Sequence, residues 1–315
     1  MRHDREINVV VVGSTNFDLV VKAERLPKEG ESMVVRDLQF FSGGKGANQA
    51  VAVAKMGAKA SFLSCVGQDL LGDFLIRELE CGGIDTAWVK RTGERSTGCA
   101  FVMLFPNRNN CIIVDPAANM ALAPADVEKA RESIERADAV MSVLEIPLEV
   151  LEAVFQTARK AGKLTVLDAG PPRACPPEIL RLADVVSPNE TELAQLTGVD
   201  VTDRASAQHA AEKLLVQGVG TVVLKLGSDG SMLVTPQGTQ HFPAYQINAV
   251  DPTAAGDAFA AAFATEYASG SNIEDAIRFA NAAGALAAMK LGGRPSLPTR
   301  EEVEAFVARG GLVSP

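Results

Sequence analysis

Short runs of apolar, mostly β-branched residues recur along the chain, and the first of them is INVVVVG at positions 7–13. A run without polar alternation is typical of a strand that is buried on both faces. Similar runs follow at 60–67, 138–145, 164–170, 184–189 and 221–227. Helical patterns lie between most of them, at 45–56, 69–81, 124–136, 147–161, 190–196 and 204–217. This alternation predicts an α/β fold with a mostly parallel central sheet and helices on both of its faces.

Two segments interrupt the alternation. Residues 17–42 and 97–115 carry extended patterns without helices, and the second segment contains PNRNN, a strong turn signal between two β runs. We expect the two segments to form a small β-sheet that projects from the main one. The final third continues with helices predicted at 255–268, 273–290 and 300–308. Because no linker or internal repeat divides the chain, we expect one domain over residues 1–315 with a β appendage.

The composition argues against several classes of function. Hydrophobic residues make up 47% and charged residues 22%, and the formal net charge of −9 argues against a general binder of nucleic acids or anionic membranes. A phosphate ligand would therefore need a local site, such as the backbone N–H groups at a helix start. The five cysteines include no CxxC pair, and no stretch is typical of a membrane span or an export signal, so we expect a cytoplasmic protein.

The stretch DPTAAGDAFAAAFA at 251–264 places Asp257 inside the first turn of a predicted helix. Small residues and Gly256 let backbone N–H groups approach an anion closely, and the helix dipole favours negative charge there. A carboxylate at this place would repel the anion unless it had a chemical task. Accepting the proton of a hydroxyl that attacks phosphorus is such a task. The alternative is that Asp257 only stabilises the helix dipole.

A glycine-rich stretch, FSGGKGANQA at 41–50, precedes another predicted helix. Its glycines permit a tight backbone, while Lys45 and Asn48 bring polar groups to the helix start. The GxxxxGK[ST] spacing of a P-loop is absent from the chain. Lys45 and Asn48 are therefore candidates for hydrogen bonds to a polyhydroxylated ligand, and the alternative is a turn with a structural role only.

Two more polar stretches follow predicted strands, where the ligands of α/β sheets collect. In GSTNFDLVV, Asn16 and Asp18 are candidates for binding pairs of sugar hydroxyls, and the alternative is an Asx turn. In SPNETELAQLTG, Glu192 is a candidate for holding the water shell of Mg²⁺ near phosphates. The alternative there is a capping box formed by Asn189 and Glu192.

Together, GSTNFD, GGKGANQA, SPNETE, KLGSDG and DPTAAGDAF resemble the ribokinase family of sugar kinases. They occur in the family order, at comparable spacing and over nearly the whole chain. The resemblance implies a three-layer α/β/α domain with a β-sheet lid at about 17–42 and 97–115, through which family members commonly pair as homodimers. It also implies ATP-dependent phosphorylation of the 5-hydroxyl of D-ribose.

The resemblance also implies a role for each matching position. Asp257 would be the general base, and the anion hole would consist of the amides of Ala254, Ala255 and Gly256. The sugar would be held by Asn16, Asp18, Gly44, Lys45, Gly46, Asn48 and Glu145, with Asp257. ATP would contact Asn189, Lys225, Gly227, Gly230, Gly256 and Asn281, while Glu192 would hold Mg²⁺ through water. A K⁺ activator would lie at Asp251, Thr253, Ala287, Lys290, Gly292 and Ser296.

The chain departs from the family pattern at three places. Pro252 stands where threonine is usual, and it removes an N–H just before the predicted anion hole. Phe17 stands where a smaller residue is common beside the sugar aspartate, and LDAGPP at 167–172 replaces a usual NPAP turn. Two alternatives therefore stay open: a kinase for 2-deoxyribose or a nucleoside, and a non-catalytic sugar-binding regulator.

Overall fold

A computed structural model describes residues 5–106 and 110–311 of the chain. In chain order the strands are β1 (Asn8–Val12), β2 (Asn16–Lys22), β3 (Arg36–Gly43), β4 (Lys59–Gly67), β5 (Val89–Thr92), β6 (Cys99–Leu104), β7 (Asn110–Asp115), β8 (Ala139–Val143), β9 (Leu164–Asp168), β10 (Val185–Ser187), β11 (Thr221–Lys225), β12 (Ser231–Thr235) and β13 (Gly238–Phe242). The α-helices are α1 (Lys45–Lys55), α2 (Leu70–Cys81), α3 (Pro124–Lys129), α4 (Arg131–Arg136), α5 (Leu148–Lys160), α6 (Pro177–Leu180), α7 (Glu190–Thr197), α8 (Arg204–Val216), α9 (Ala255–Ala268), α10 (Ile273–Ala288) and α11 (Arg300–Ala308).

The main sheet has nine strands in the described residues, in the order β13-β12-β11-β10-β9-β8-β1-β4-β5. Neighbouring strands pair in parallel except at one edge, where the β11–β12 and β12–β13 pairs are antiparallel. Alternate residues of β1 enter two separate cores: Val10 and Val12 pack on the side of α5 and α8, and Val9 and Val11 on the side of α1 and α9. The three-layer α/β/α fold predicted from the sequence is confirmed.

A separate four-stranded sheet has the order β3-β2-β6-β7 and contains the two segments that lacked helical patterns. Strands β2 and β6 are parallel, and the two outer pairs are antiparallel. The prediction of a small separate sheet is therefore confirmed. Most of the predicted PNRNN turn between β6 and β7 lies at 107–109, outside the described residues.

Several elements differ from the sequence predictions, among them β5 and α6, which were not predicted. The single helix predicted at 124–136 is two helices, α3 and α4, because Ala130 has φ −86° and ψ 2° and ends the first of them. The β12–β13 hairpin at the sheet edge was missed, since its strands carry polar residues and have no helix between them. Across residues 5–106 and 110–311, none of the helices has the length and apolarity that a bilayer span requires.

Candidate active site

The candidate active site lies where the carboxyl ends of the central parallel strands meet the first turns of α1 and α9. Ser14 follows β1, Glu145 follows β8, and Lys225 ends β11. Ligand sites of open α/β sheets form at this edge because the loops that leave neighbouring strands converge there. The polar residues that the sequence analysis placed after strands are thereby brought to one edge of the sheet.

Asp257, in the first turn of α9, is 4% exposed and is held by side chains of α1. Asn48 Nδ2 donates to its Oδ2 over 3.0 Å, while Lys45 Nζ and Gln49 Nε2 each lie 3.4 Å from Oδ1. The N-cap residue Ala254 makes no side-chain cap hydrogen bond. The carboxylate is therefore directed into the space between two helices by donors from a distant part of the chain.

The tip of α9 has an unusual backbone. Ala254 adopts a left-handed conformation with φ 61°, which is uncommon for a residue with a side chain and is often found at functional sites. The N–H of Ala255 donates to the Pro252 carbonyl over 3.1 Å. Within the described part of the chain, the N–H groups of Ala254 and Gly256 donate to no other residue. These two amides, like the N–H of Asp257, are therefore open to an anion.

The start of α1 packs tightly on the end of β1. A Cβ atom at Gly46 would lie 2.5 Å from the Gly13 Cα, so only glycine allows this approach. Lys45 N–H donates to Glu145 Oε2 over 3.2 Å, and the Ser14 hydroxyl donates to the same oxygen. Burial raises the pKa of Glu145, although the hydrogen bond from Ser14 and the charge of Lys45 act to lower it. The glycines of the GGKG stretch thus place the Lys45 N–H beside the buried carboxylate of Glu145 and the Lys45 ammonium group beside that of Asp257.

Asn16 and Asp18 belong to β2 of the small sheet and lie beside α1. Asn119 Nδ2 donates to Asn16 Oδ1 over 2.8 Å. Asp18 Oδ1 is buried without a hydrogen-bond partner in the described residues, and a side chain at Gly43 would collide with this carboxylate. Burial raises the pKa of Asp18 to about 7, with the nearby Arg294 opposing the rise. An acceptor left unpaired in this way is suited to a ligand hydroxyl.

On the other side of the α9 tip, the predicted nucleotide residues surround β11. Asn189 and Glu192 form a capping box at the start of α7, with N···O distances of 2.7 and 2.8 Å, so the structural alternative for this pair is realised. Glu192 is 3% exposed, and its Oε2 lies 3.7 Å from Lys225 Nζ. The turn after β11 has positive φ at Gly227 and Gly230.

Asn281 belongs to α10 and reaches the same region. Its Nδ2 lies 3.5 Å from the Phe242 carbonyl oxygen, and a side chain at Gly230 would collide with that oxygen. Asn281 and Gly230, both predicted to contact a nucleotide, therefore lie beside the same carbonyl.

The predicted cation loop is assembled around Asp251. Its Oδ1 accepts from the Thr253 N–H (2.9 Å) and hydroxyl (2.6 Å), and its Oδ2 accepts from the Gly292 N–H (2.9 Å). Burial would raise the pKa of Asp251, but these hydrogen bonds more than offset it and hold the pKa below its usual value. The Ala287 carbonyl accepts from Lys290 N–H, and Ser296 is fully buried nearby in the 294–296 turn. The Lys290 side chain instead pairs with Glu302 at the surface.

Comparison with known proteins bears on this arrangement. Residues 6–300 match the model of the pfkB family carbohydrate kinases. The chain belongs to this family. It is 40% identical to a ribokinase of Staphylococcus aureus (strain COL) over 297 residues, which cover 94% of this chain and 98% of the relative. It is also 33% identical to a deoxyribokinase of Salmonella typhi over 303 residues, covering 96% and 99% of the two chains.

A solved structure of Arabidopsis thaliana ribokinase complexed with ribose and ATP is also similar to this chain. The two are 36% identical, with a TM-score of 0.91 and coverage of 96% of this chain and 99% of that one. The resemblance to a sugar-kinase family, predicted from the five motifs, is thus confirmed. The roles of the individual residues stay predictions.

This pfkB family member also has polar residues at the site that the sequence analysis missed. Asp168 ends β9 in the LDAGPP stretch and is fully buried. Burial alone would raise its pKa, but the ammonium groups of Lys225 and Lys45 hold the pKa below its usual value. Gln49 Nε2 also donates to Asp168, over 2.7 Å. An acidic residue at the end of a buried strand was the available signal.

Arg294 is the second missed residue. Its Nε lies 3.3 Å from Asn48 Oδ1, and its Nη2 donates to the Gly43 carbonyl over 3.1 Å. Burial lowers its pKa to about 10, with Asp18 opposing. Arg294 therefore ties the turn after α10 to the sugar side of the site. Its position follows from chain folding rather than from any local pattern.

Proposed function

We propose that this chain is an ATP-dependent sugar kinase that transfers the γ-phosphoryl group of ATP to the 5-hydroxyl of D-ribose, giving D-ribose 5-phosphate and ADP. The observation that carries the proposal is the position of Asp257 between the open amides of the α9 tip and the polar side chains of α1. The similarity to proteins named ribokinase, one of them complexed with ribose and ATP, supports the choice of substrates.

In the proposed reaction Asp257 accepts the proton of the 5-hydroxyl as the hydroxyl oxygen attacks the γ-phosphorus. The new O–P bond forms while the bond from phosphorus to the oxygen bridging the β- and γ-phosphates breaks, and ADP leaves with that electron pair. The N–H groups of Ala254 and Gly256 stabilise negative charge on the transferring group. Ala255 joins this anion hole only if its N–H is released from the Pro252 carbonyl.

The sugar hydroxyls are assigned to the polar set that faces Asp257. The acceptors are Asn16, Asp18 and Glu145, the donors are Lys45 and Asn48, and Gly44 and Gly46 supply backbone that can approach closely. Adenosine phosphates are assigned to Asn189, Lys225, Gly227, Gly230 and Gly256, with Asn281 near the base. The short distances among these residues support one connected cleft for both substrates.

Two metal ions belong to the proposal. Mg²⁺ would neutralise phosphate charge when bound. Glu192 suits a contact to Mg²⁺ through water, because its Oε2 already accepts from the Asn189 N–H and its other oxygen is left for a water ligand. K⁺ is assigned to the loop of Asp251, Thr253, Ala287, Lys290, Gly292 and Ser296, whose oxygen donors are of the type this ion prefers. Several of these positions would act through their backbone carbonyls.

We also propose a homodimer through the small sheet. In the strand register Phe40, Leu19, Phe101 and Ile113 form one row across the four strands, on the face opposite Asp18. Phe40 is 56%, Phe101 53% and Ile113 59% exposed. A contiguous apolar row of this kind is typical of a protein–protein interface, and a second copy of the chain is the partner that we assign to it. The ATP requirement supports a cytoplasmic location.

A second candidate is a kinase for 2-deoxyribose, which the similarity to a deoxyribokinase favours. Phe17 packs against Phe40 in a tilted arrangement and against Phe74 edge-to-face, at centroid distances of 5.6 Å each, and it lies on the sheet face opposite its neighbour Asp18. Its influence on sugar choice would therefore act through the placement of Asp18.

The experiment that tests the proposed function is a panel of D-ribose, 2-deoxyribose and nucleosides, assayed by ADP release with MgATP. The proposal predicts the highest kcat/KM for D-ribose, with phosphate on the 5-hydroxyl in the product NMR spectrum. A higher value for deoxyribose supports the second candidate. Sugar binding by calorimetry without ADP release would instead support a non-catalytic regulator.

A further inference from the structure

A buried carboxylate links the sugar side of the candidate active site to its phosphate side. Lys225 Nζ donates to Oδ1 of Asp168, whereas Lys45 Nζ lies 3.5 Å and Gln49 Nε2 2.7 Å from Oδ2. Lys45 faces the sugar-side residue Asp257, and Lys225 ends the strand that precedes the predicted nucleotide turn. One carboxylate therefore holds two ammonium groups that belong to different substrate subsites.

When no ligand is bound, the Lys225 ammonium group lies at a place that is unfavourable for a cation. A Cβ atom at Gly256 would lie 3.8 Å from Lys225 Nζ, so the ammonium is beside the first turn of α9. The N-terminal end of a helix carries partial positive charge, which repels a cation and attracts an anion. The open amides of Ala254 and Gly256 are at the same tip. The lysine and the helix tip therefore converge on the place of one anion.

Support of the fold alone is a poor explanation for this ion pair. Burying two charges carries a desolvation cost that apolar residues of similar volume avoid. Strand β10 already hydrogen-bonds both β9 and β11, so the strands need no cross-link from Asp168 to Lys225. The Lys225 side chain is 11% exposed and Asp168 is 0% exposed, so the pair is well shielded from water.

We propose that Lys225 is a catalytic residue that contacts the phosphoryl group in transit, and that Asp168 is the positioning residue that fixes Lys225 and Lys45 relative to each other. The inference rests on the proposed kinase function. Negative charge in the transition state lies largely on the oxygens of the transferring group. An ammonium held in a shielded site stabilises that charge more strongly than one in water.

The test measures kcat, ribose KM and thermal midpoint for Lys225→Met, Lys225→Arg, Asp168→Asn and the Asp168→Asn/Lys225→Met double variant. Lys225→Met should lower kcat by about 10²-fold with little change in ribose KM, and Lys225→Arg should restore part of the rate because it keeps the charge. Asp168→Asn should lower kcat by roughly 10-fold and raise ribose KM, since Lys45 loses a partner. The double variant should be no more than about threefold slower than Lys225→Met, because Asp168 acts largely through Lys225.

Lys90→Met is the matched control. Lys90 of β5 forms a 3.0 Å ion pair with the buried Asp126, outside the candidate active site. We expect the Lys90→Met substitution to lower the thermal midpoint without lowering kcat. A Lys225→Met enzyme within about threefold of the wild-type kcat, or a Lys90→Met enzyme with the same loss, overturns the catalytic role. A double variant slowed by the full product of the single effects overturns the positioning role.

Failure of the proposed function would be visible separately, as a wild-type protein that phosphorylates none of the sugars tested. The inference is then decided by calorimetric titration with AMPPNP and Mg²⁺. The Lys225→Met variant should bind AMPPNP about 10-fold more weakly than the wild type and the Lys90→Met variant do, which is a loss of ~1.4 kcal/mol in binding free energy. Equal affinity in the three proteins overturns the phosphate contact.

Discussion

Asn48 of α1 donates from Nδ2 to Oδ2 of Asp257 in α9 over 3.0 Å, although the two residues are 209 positions apart in the sequence. The turn before α9 is closed instead by Asp251, whose Oδ1 accepts from the Thr253 N–H and hydroxyl. This turn is therefore closed without Asp257, and the orientation of Asp257 is set by another helix. The Asp257 carboxylate is therefore not required to close the turn before α9, which agrees with the role of general base that we propose for it.

Asp18 predicts a pH dependence of stability. Burial raises its pKa from 3.8 to about 7, so between these values the folded protein holds a proton that the unfolded chain releases. The contribution of this group to stability is therefore lost as the pH rises from about 4 to about 7. Asp18→Asn should raise the thermal midpoint at pH 8 by roughly 2 °C more than at pH 5, measured by scanning calorimetry.

The exposed Asp200→Asn variant gives the baseline for removal of one negative charge. Asp18→Asn should also weaken ribose binding at pH 8, because the ionised carboxylate is the better acceptor for sugar hydroxyls. A shift in thermal midpoint that is the same at both pH values would contradict the buried environment of Asp18.

The cation loop predicts a difference between potassium and sodium salts. Asp251 Oδ2 accepts from the Gly292 N–H in the loop to which we assign K⁺, close in sequence to the α9 tip. The wild type should be several-fold more active in KCl than in NaCl, and Asp251→Asn should lose most of that difference. Initial rates at constant ionic strength, with choline chloride as the reference salt, are the measurement. Equal wild-type rates in the three salts would contradict activation by K⁺.

The apolar row on the small sheet predicts the oligomeric state. Phe101 lies at the centre of the row and is 53% exposed, so Phe101→Asp should place a charge inside the proposed interface and give monomers. Sedimentation velocity of the wild type should show dimers. Leu70→Asp is the control, because Leu70 is 83% exposed on α2, outside the row. A monomeric wild type, or a dimeric Phe101→Asp variant, would refute this interface.

Local patterns were sufficient for most of the fold. The β-branched run of β1 has its alternate residues in two cores, as expected of a strand buried on both faces. The hairpin of β12 and β13 was missed because period-2 alternation is weak in short edge strands with polar residues. The break at Ala130 was also missed, since no glycine or proline marks it.

The candidate site was predictable from local sequence where several motif residues lie together in the chain, whereas Glu145 and Asn281 were assigned only through the family resemblance. Lys45, Asn48 and Asp257 were predicted because each lies in a glycine-containing helix start. Asp168 could not be connected to Lys225 without the strand order, which places β10 between β9 and β11. The left-handed backbone conformation of Ala254 could not be predicted either, because alanine rarely adopts this conformation and no feature of the local sequence indicates it.

The central claim, that Asp257 is the base beside an anion-binding helix tip, is tested most directly by the kcat of Asp257→Asn. Asp275 is the matched control, because it occupies the corresponding position in the first turn of α10 and is exposed. The account predicts that Asp257→Asn lowers kcat at least ~10²-fold with ATP affinity little changed, while Asp275→Asn retains the wild-type rate. Near-normal turnover in Asp257→Asn would contradict the account.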